Sequence, residues 1–207
     1  MKSRIFVCLL FSLLFSCEKD NNSPVFAGIV DNNMLYQEFN PPVQCTMQTD
    51  STTNSVSGTS SIDINSDGLY DLIFHVKLPI SWDEKNNVEY GTYHNILELN
   101  NNLEIVSFKE TYYIGLGQTS EKSWAGALSY EDKIEADNDW SGSNMHIYMW
   151  ALPTPSPMSN GVWYGGADSE RYLGIRSASD SGYKYGWIKI NPTADNDFTI
   201  LSFAIEN

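Results

Sequence analysis

The sequence predicts an all-β protein, an antiparallel β-sandwich with little helix, on three observations. Short runs rich in Ile, Val, Tyr, Phe and Trp recur along the chain, and clusters of Asn, Asp, Gly, Ser and Pro separate them at intervals of roughly 8 to 15 residues. Apolar spacing with a helical period is scarce. Hydrophobic residues make up 42% of the 207 and aromatics 13%, which is too apolar for a disordered chain.

Each element follows from its own residues. Residues 1–16 read as a secretory signal: Lys2 and Arg4 make the start positive, and Ile5 to Phe15 is an apolar run of about 11 residues, short of the roughly 20 that span a bilayer. Residues 17–23 are a polar tether, and Pro24, followed by Val25, Phe26, Ile29 and Val30, opens one domain over 24–207. Strand signals cover Ser61 to Ile64, Leu69 to Val76, Ile96 to Leu99 and Leu103 to Phe108, then Met145 to Trp150, Arg171 to Arg176, Tyr183 to Ile190 and Phe198 to Ile205. Val88 to Tyr93 can add another. Asn100-Asn101-Asn102 joins two of these runs as a hairpin turn, because asparagine tolerates the positive φ such turns require. One helical turn is expected within Leu128 to Ile134. The Ser/Thr-rich stretch Asp50 to Ser60 and the segment with Pro153, Pro155 and Pro157 are expected as surface loops, since too little chain lies beyond either to pack a second core. The sum is a sandwich of jelly-roll or lectin-like kind.

Charge excludes several partners. The chain carries 12 Lys plus Arg against 26 Asp plus Glu, a net −14, which repels phosphate backbones and anionic membrane surfaces alike. Removal of 1–16 takes away Lys2 and Arg4, leaving 10 basic residues against 26 acidic and a net −16. Leu14-Phe15-Ser16-Cys17 resembles the lipobox of bacterial lipoproteins, in which a small residue sits at the cut and the next cysteine takes a diacylglycerol. The resemblance implies a lipid on Cys17, and two or three acyl chains anchor a protein stably. Glu18-Lys19-Asp20 is similar to the charged export signal of surface lipoproteins of the Bacteroidetes, which implies the outer membrane and its outer face. Cys8 leaves with the signal, so Cys45 is the lone thiol of the mature chain and no internal disulfide can form.

One stretch carries metal chemistry. Asp63-Ile64-Asn65-Ser66-Asp67-Gly68-Leu69-Tyr70-Asp71 sets oxygen-bearing side chains at alternate positions around a glycine. That spacing curls the backbone around a hard cation: Asp63, Asn65 and Asp67 turn inward, Gly68 takes the sharp turn, Leu69 offers its carbonyl, and Asp71 contributes directly or through water. An all-oxygen set suits calcium; zinc wants nitrogen or sulfur, and magnesium wants a stiffer octahedron. Phe74 stands where an EF-hand loop has its bidentate glutamate, and both flanks read as strand. The loop instead resembles the strand-loop-strand calcium loops of surface proteins such as those of FG-GAP-type repeats, which implies weak affinity, on the order of 10⁻⁴ to 10⁻³ M. The competing reading is an Asp-Gly hairpin turn with acidic neighbours.

A second motif lies near the C-terminus. Tyr172-Leu173-Gly174-Ile175-Arg176, Tyr185-Gly186-Trp187-Ile188-Lys189-Ile190 and a last strand through Phe198 and Ile200 resemble the ending of a group of secreted bacterial β proteins that carry an aspartate loop on an early strand. Period-two spacing puts Tyr185 and Trp187 on one face of a strand and Ile188 and Ile190 on the other, and packing is the expected role of both pairs.

No catalytic constellation emerges. Glu131, Asp132 and Glu135 read as a solvated acidic face, His75, His94 and His146 lack ligand spacing, and Gly115-x-Gly117 has no following helix. Six tryptophans and twelve tyrosines suit a binding module, because aromatic faces offer large contact area at low entropy cost. Trp82, Trp140 and Trp163 lie in polar or Gly-rich surroundings and are the expected exposed platforms. The expectation is a calcium-binding, lipid-anchored envelope protein that acts as a binding or accessory module toward a surface-protein partner, with a carbohydrate-binding module of a glycan-uptake system as the alternative and a glycoside hydrolase-like enzyme as the last one.

Overall fold

The computed structural model describes residues 24–52, 55–83, 88–100, 102–115, 118–152, 158–160, 163, 170–192 and 198–207. Its elements are all strands: β1 Val25–Phe26, β2 Met34–Gln44, β3 Thr46–Asp50, β4 Ser55–Ile62, β5 Leu72–Asp83, β6 Val88–Leu99, β7 Leu103–Gly115, β8 Gln118–Ala125, β9 Lys133–Ile134, β10 Trp140–Ser141, β11 Met145–Leu152, β12 Met158–Asn160, β13 Arg171–Ser179, β14 Gly182–Pro192 and β15 Phe198–Glu206. They form an all-β, sandwich-like fold made from one large curled sheet in the order β2-β15-β14-β13-β7-β8-β11-β6-β5-β4-β3, with β10 added on β7 and β12 on β11, and a separate pair β1-β9. Neighbours are antiparallel, except that β8 touches β11 in parallel at the single pair Trp124 and His146.

Two features turn this sheet into two layers. Strand β7 belongs to both: Leu103 to Ile105 pair with β13, and Ser107 to Gly115 pair with β8. At the opposite extreme, β2 and β3 are the outermost strands of the path yet follow one another in the chain, joined through buried Cys45. The chain itself thus bends from one layer into the other, as strands do at sandwich corners. Within β2, Pro41 and Pro42 fall where the register with β15 jumps, a place where a missing N–H removes no ladder bond.

The core between the layers draws on nearly every long strand. Leu72, Phe74, Leu97, Ile105, Leu173, Ile175, Ile188 and Phe203 are almost wholly buried in one cluster. A second cluster covers the outer face of β13 and β14, where Tyr172, Tyr185 and Trp187 pack against Val25, Ala27 and Ile134. The period-two expectation holds: Tyr185 and Trp187 lie in the outer cluster, Ile188 and Ile190 in the inner one. Because both faces are covered, β13 and β14 bury successive residues, Tyr172 to Ile175 and Tyr185 to Ile188.

The N-terminal segment is the lid on that outer face. Ala27 N–H donates to the Asp132 carbonyl, Glu131 N–H donates to the Ala27 carbonyl, and the Trp187 indole N–H donates to the Ile29 carbonyl at 2.9 Å. Gly186 is required by close approach, since a Cβ there would stand 2.2 Å from the Ala204 carbonyl oxygen. Gly174 makes room for Val106 in the same way.

Several expectations are corrected. Residues 128–134 make no helical turn; Ser129 N–H donates to the Asp132 carboxylate, Glu131 adopts a φ of 67°, and the chain passes directly into β9. Local side-chain capping of this kind competes with helix. Ser55 to Ser60 is not a loop but most of β4, which alternates exposed and buried residues against β5. Seven strands lay outside the expected set: the longer β2, β3 and β8, too polar to stand out, and the two- and three-residue β1, β9, β10 and β12. The asparagine turn reverses the chain as expected, with Asn102 at a φ of 58°, but it joins no hairpin. Strand β6 pairs with β5 and β11, while β7 begins against β13 in the other layer. Asn101 and the Pro153 to Pro157 segment lie outside the described residues, as do residues 1–23 with Cys17.

Candidate functional site

The aspartate loop joins β4 to β5 at one end of the sandwich, and strands flank it on both sides as the sequence implies. Ser66 and Gly68 take positive φ values of 60° and 88°, which bends the nine residues back on themselves. Side-chain oxygens then fill the inside of the bend. Asp63 accepts from Gly68 N–H at 2.8 Å and from Asp67 N–H at 3.3 Å. Asn65 Oδ1 accepts from Asp67 N–H at 2.9 Å, and Asp67 Oδ1 from Leu69 N–H at 2.8 Å. These are successive Asx turns, the local bond that Asp and Asn favour in loops.

Asp71 differs from its neighbours. It is only 4% exposed, and its Oδ2 accepts from Ile64 N–H at 2.7 Å and Asn65 N–H at 3.3 Å. Its own N–H donates to the Ile62 carbonyl, and its carbonyl accepts from Asn100 N–H. Asp71 therefore latches the loop to β4 and to the asparagine turn. Charge-assisted bonds of this sort are shorter and stronger than neutral ones. Leu69 projects outward, 62% exposed, and Tyr70 beside it is exposed too.

The donor chemistry fits a hard cation, since every polar group turned into the bend carries oxygen. Asn65 Nδ2 stands 3.1 Å from Asp67 Oδ2 and 3.5 Å from Asp71 Oδ1, a weak donor between two carboxylates. Most of the other oxygens face backbone N–H groups, however, and among the described residues no group of three or more His, Cys, Asp or Glu is gathered closely enough to hold a metal.

The tryptophan expectations fare differently. Trp163 is 4% exposed, joins the inner core and donates its indole N–H to the Ala125 carbonyl at 3.0 Å, so it is no platform. Its Gly-rich neighbours describe the local chain, whereas the indole's large apolar area draws it inside. Trp140 is half-buried in β10, with its N–H given to the Glu135 carbonyl and its ring against Tyr185. Trp82 lies in β5, and its side chain is outside the described residues. The acidic cluster serves its own turn: Asp132 caps Ser129 N–H, and Glu135 pairs with Lys133 at 2.6 Å. His75 pairs with Glu98 across β5 and β6, the His146 ring meets Trp124 at a tilt of 58°, and the side chain of His94 is outside the described residues.

The structure also builds a site that no motif announced. Two hollows lie near one another, of about 270 Å³ beside the aspartate loop and about 450 Å³ beside the asparagine turn. Leu103 and Ala178 line both. Asn65, Asp71 and Lys184 belong to the wall of the first, so the aspartate loop forms one side of it. Tyr183 and Glu104 belong to the wall of the second. Arg176 organises them: its guanidinium lies 4.0 Å from the Tyr183 ring centroid and 4.6 Å from that of Trp140, and it forks onto the Glu104 carboxylate. A lone Tyr in a Ser/Gly/Asp turn carries no sequence signal for such a stack.

Titration is perturbed on the outer face. Burial raises the Tyr172 phenol above its usual range, with nearby Lys189 opposing. Burial alone would lower Lys189, but its hydrogen bond to Glu170 and the charges of Tyr172, Glu170 and Tyr36 together raise it. Desolvation lowers Lys122, whose ammonium rests 4.6 Å from the Trp124 ring centroid. No protein-family model, curated protein or solved structure matches this chain.

Proposed function

We propose that this chain is a lipid-anchored, calcium-binding protein of the cell envelope, a binding or accessory module held at the outer membrane by Cys17. The observation that carries the calcium part is the curled loop between β4 and β5, in which Asp63, Asn65, Asp67 and Asp71 turn only oxygen and one amide into the bend. Calcium enters between Asp67 and Asp71 in place of the Asn65 amide nitrogen. It relieves carboxylate repulsion worth about 1 kcal/mol per close pair in water and about 4 near a protein surface. The lipobox at Leu14 to Cys17 and the short polar tether support the anchoring part; the six residues Glu18 to Ser23 beyond the cysteine reach on the order of 20 Å, so the domain stands near the bilayer.

Melting the full chain in detergent tests the calcium claim. With 10 mM calcium the melting point should rise by several degrees over a chelator control, and coincident curves would sink it. Cys17→Ala, followed through membrane fractionation and intact mass, tests the anchor. The variant should lose the acyl mass and leave the membrane pellet.

A further inference from the structure

We infer that the face formed by the N-terminal segment, with Phe26, Val30, Tyr36 and Tyr130 exposed on it, rests on the surface of a neutral lipid bilayer. The face reaches that surface only if the chain is lipid-anchored at Cys17 as proposed above, and it does so with or without calcium.

Three observations carry it. The first is where exposed apolar side chains gather. Among the described residues eight large hydrophobic side chains are exposed, and four of them, Phe26, Val30, Tyr36 and Tyr130 at 41 to 57%, lie on the N-terminal segment or directly beside it. Phe26 alternates with the buried Val25 and Ala27 and so points away from the protein. The Tyr130 ring abuts Gly28, where a Cβ would stand 2.6 Å from a ring carbon, and Tyr36 lies 6.2 Å from the Trp187 ring, whose indole donates to the Ile29 carbonyl. Single exposed hydrophobics need no explanation, whereas a grouped set marks a place of contact.

The second observation is where the tether enters, and it decides between lipid and a protein partner. The chain enters the domain at Pro24, immediately before β1, and the six residues Glu18 to Ser23 reach on the order of 20 Å at most from Cys17. A domain of this size is about 40 Å across. The tether is therefore too short to let the far layer, with β4 and β5, reach the bilayer, and long enough for the face beside Pro24 to do so. A surface held there by its own acyl chains meets lipid at a far higher effective concentration than it meets any diffusing partner.

The third is chemistry, which selects the kind of lipid. Tyrosine joins an apolar ring to a polar tip, the combination enriched at headgroup depth. Asp31, Glu131 and Asp132 adjoin these residues in the chain, and Glu38 lies two residues along β2 from Tyr36, on the same side of the strand. The cations of this face are already paired, Lys133 with Glu135 and Lys189 with Glu170. The balance is acidic, so anionic headgroups are repelled and zwitterionic ones are accepted.

The trial uses the full chain carrying its lipid, bound to phosphatidylcholine vesicles in chelator. Hydroxyl-radical footprinting is read residue by residue, each rate divided by that of the same residue in denaturant. Tyr70 is the internal comparison, because it and Tyr130 are both 57% exposed and it lies on the loop between β4 and β5. Tyr130 and Tyr36 should be oxidised at least about threefold more slowly than Tyr70, as side chains set into the headgroup layer are. Phe26→Ser combined with Val30→Ser should bring both close to the Tyr70 rate. The two positions are exposed, and unchanged melting curves will establish that the variant folds; if it does not, Phe26→Ser alone is read in the same way. Vesicles rich in phosphatidylglycerol should protect less. Equal rates at all three tyrosines, protection indifferent to the variant, or protection as strong on phosphatidylglycerol would overturn the assignment. So would protection that grows with the ratio of protein to lipid, which belongs to a second copy of the chain. Intact mass and vesicle flotation separate the two readings: equal rates on a chain that is acylated and floats remove the docking face alone, whereas a chain that lacks the acyl mass and does not float removes the anchor and the docking with it.

Discussion

The aspartate loop and the outer face of β13 and β14 are the two places where the sequence repeats a chemical pattern, and they hold their shape by opposite means. Residues 63–71 are fixed by side-chain oxygens that accept from backbone N–H groups; most of the loop is exposed, and Leu69 contributes almost nothing to packing. The outer face is fixed by rings. Tyr172 meets Trp187 edge-on at 5.5 Å, Tyr36 meets Trp187 at 6.2 Å, and the N-terminal segment closes over them. A region held by area resists small polar changes and fails on loss of volume. A region held by directed bonds fails when one acceptor goes.

That contrast orders the expected effects. Trp187→Ala should cost about 3 to 5 kcal/mol, as large-to-small changes at buried aromatics do, and denaturant unfolding should show it as a lower midpoint. Gly186→Ala, a far smaller chemical change on the same strand, should still cost about 1 to 3 kcal/mol, because the new methyl meets the β15 backbone and not a flexible side chain. If both were neutral, the outer face would not be a packed region at all.

Next comes the loop. Asp71→Ala removes the acceptor for the buried Ile64 N–H and the part-buried Asn65 N–H and should cost about 1 to 3 kcal/mol, whereas Asp67→Ala, at an exposed position, should cost under about 1 in the absence of metal. Equal effects of the two would show that the latch at Asp71 does not exist. Calcium should reverse their order of interest. For a dissociation constant near 10⁻³ M, 10 mM calcium adds about 1.4 kcal/mol, or about 3 to 6 °C for a domain of this size. Asp67→Asn should remove that increment, and Trp187→Phe should leave it intact. A calcium increment that survives Asp67→Asn would place the ion elsewhere.

The smallest effect belongs to pH and to the outer face alone. Tyr172 and Lys189 both hold their protons more tightly when folded than their ordinary values of 10.0 and 10.5. Their contribution is therefore complete below those values and is lost as pH rises through the folded-state pKa. Melting points should fall in the alkaline range above about pH 10, and Lys189→Met should make the fall shallower. The effect is modest because the Lys189 ammonium is partly exposed and screened.

Legibility followed the range of the physics. The alternation of Tyr185, Trp187, Ile188 and Ile190 was readable because a strand's two faces are set by covalent geometry. So was the curl of Asp63 to Asp71, since Asx turns form between residues two apart. Strands β2 and β3 were not readable, because long stretches of them are polar and gain their partners from β15 and β4 across the sheet. Trp163 was misplaced for a related reason: its exposure depends on Ala125, 38 residues away in sequence, to which its indole donates.

Taken by itself, the amino-acid order determined the β class, the inward and outward faces of the C-terminal strands, the reversal at Asn100 to Asn102 and the oxygen-lined bend at residues 63–71. Only the tertiary structure decided which strands meet. The asparagine turn could have closed a hairpin, yet it carries the chain from one layer to the other, and Leu97 before it and Ile105 after it are both wholly buried in the one core. The same long-range choice joins β2 to β3 through Cys45 and brings the aspartate loop against the asparagine turn, where Asn100 N–H donates to the Asp71 carbonyl. Turn chemistry acts over a few residues and specifies that a chain bends; the partner it bends toward is settled by burial summed over the whole core.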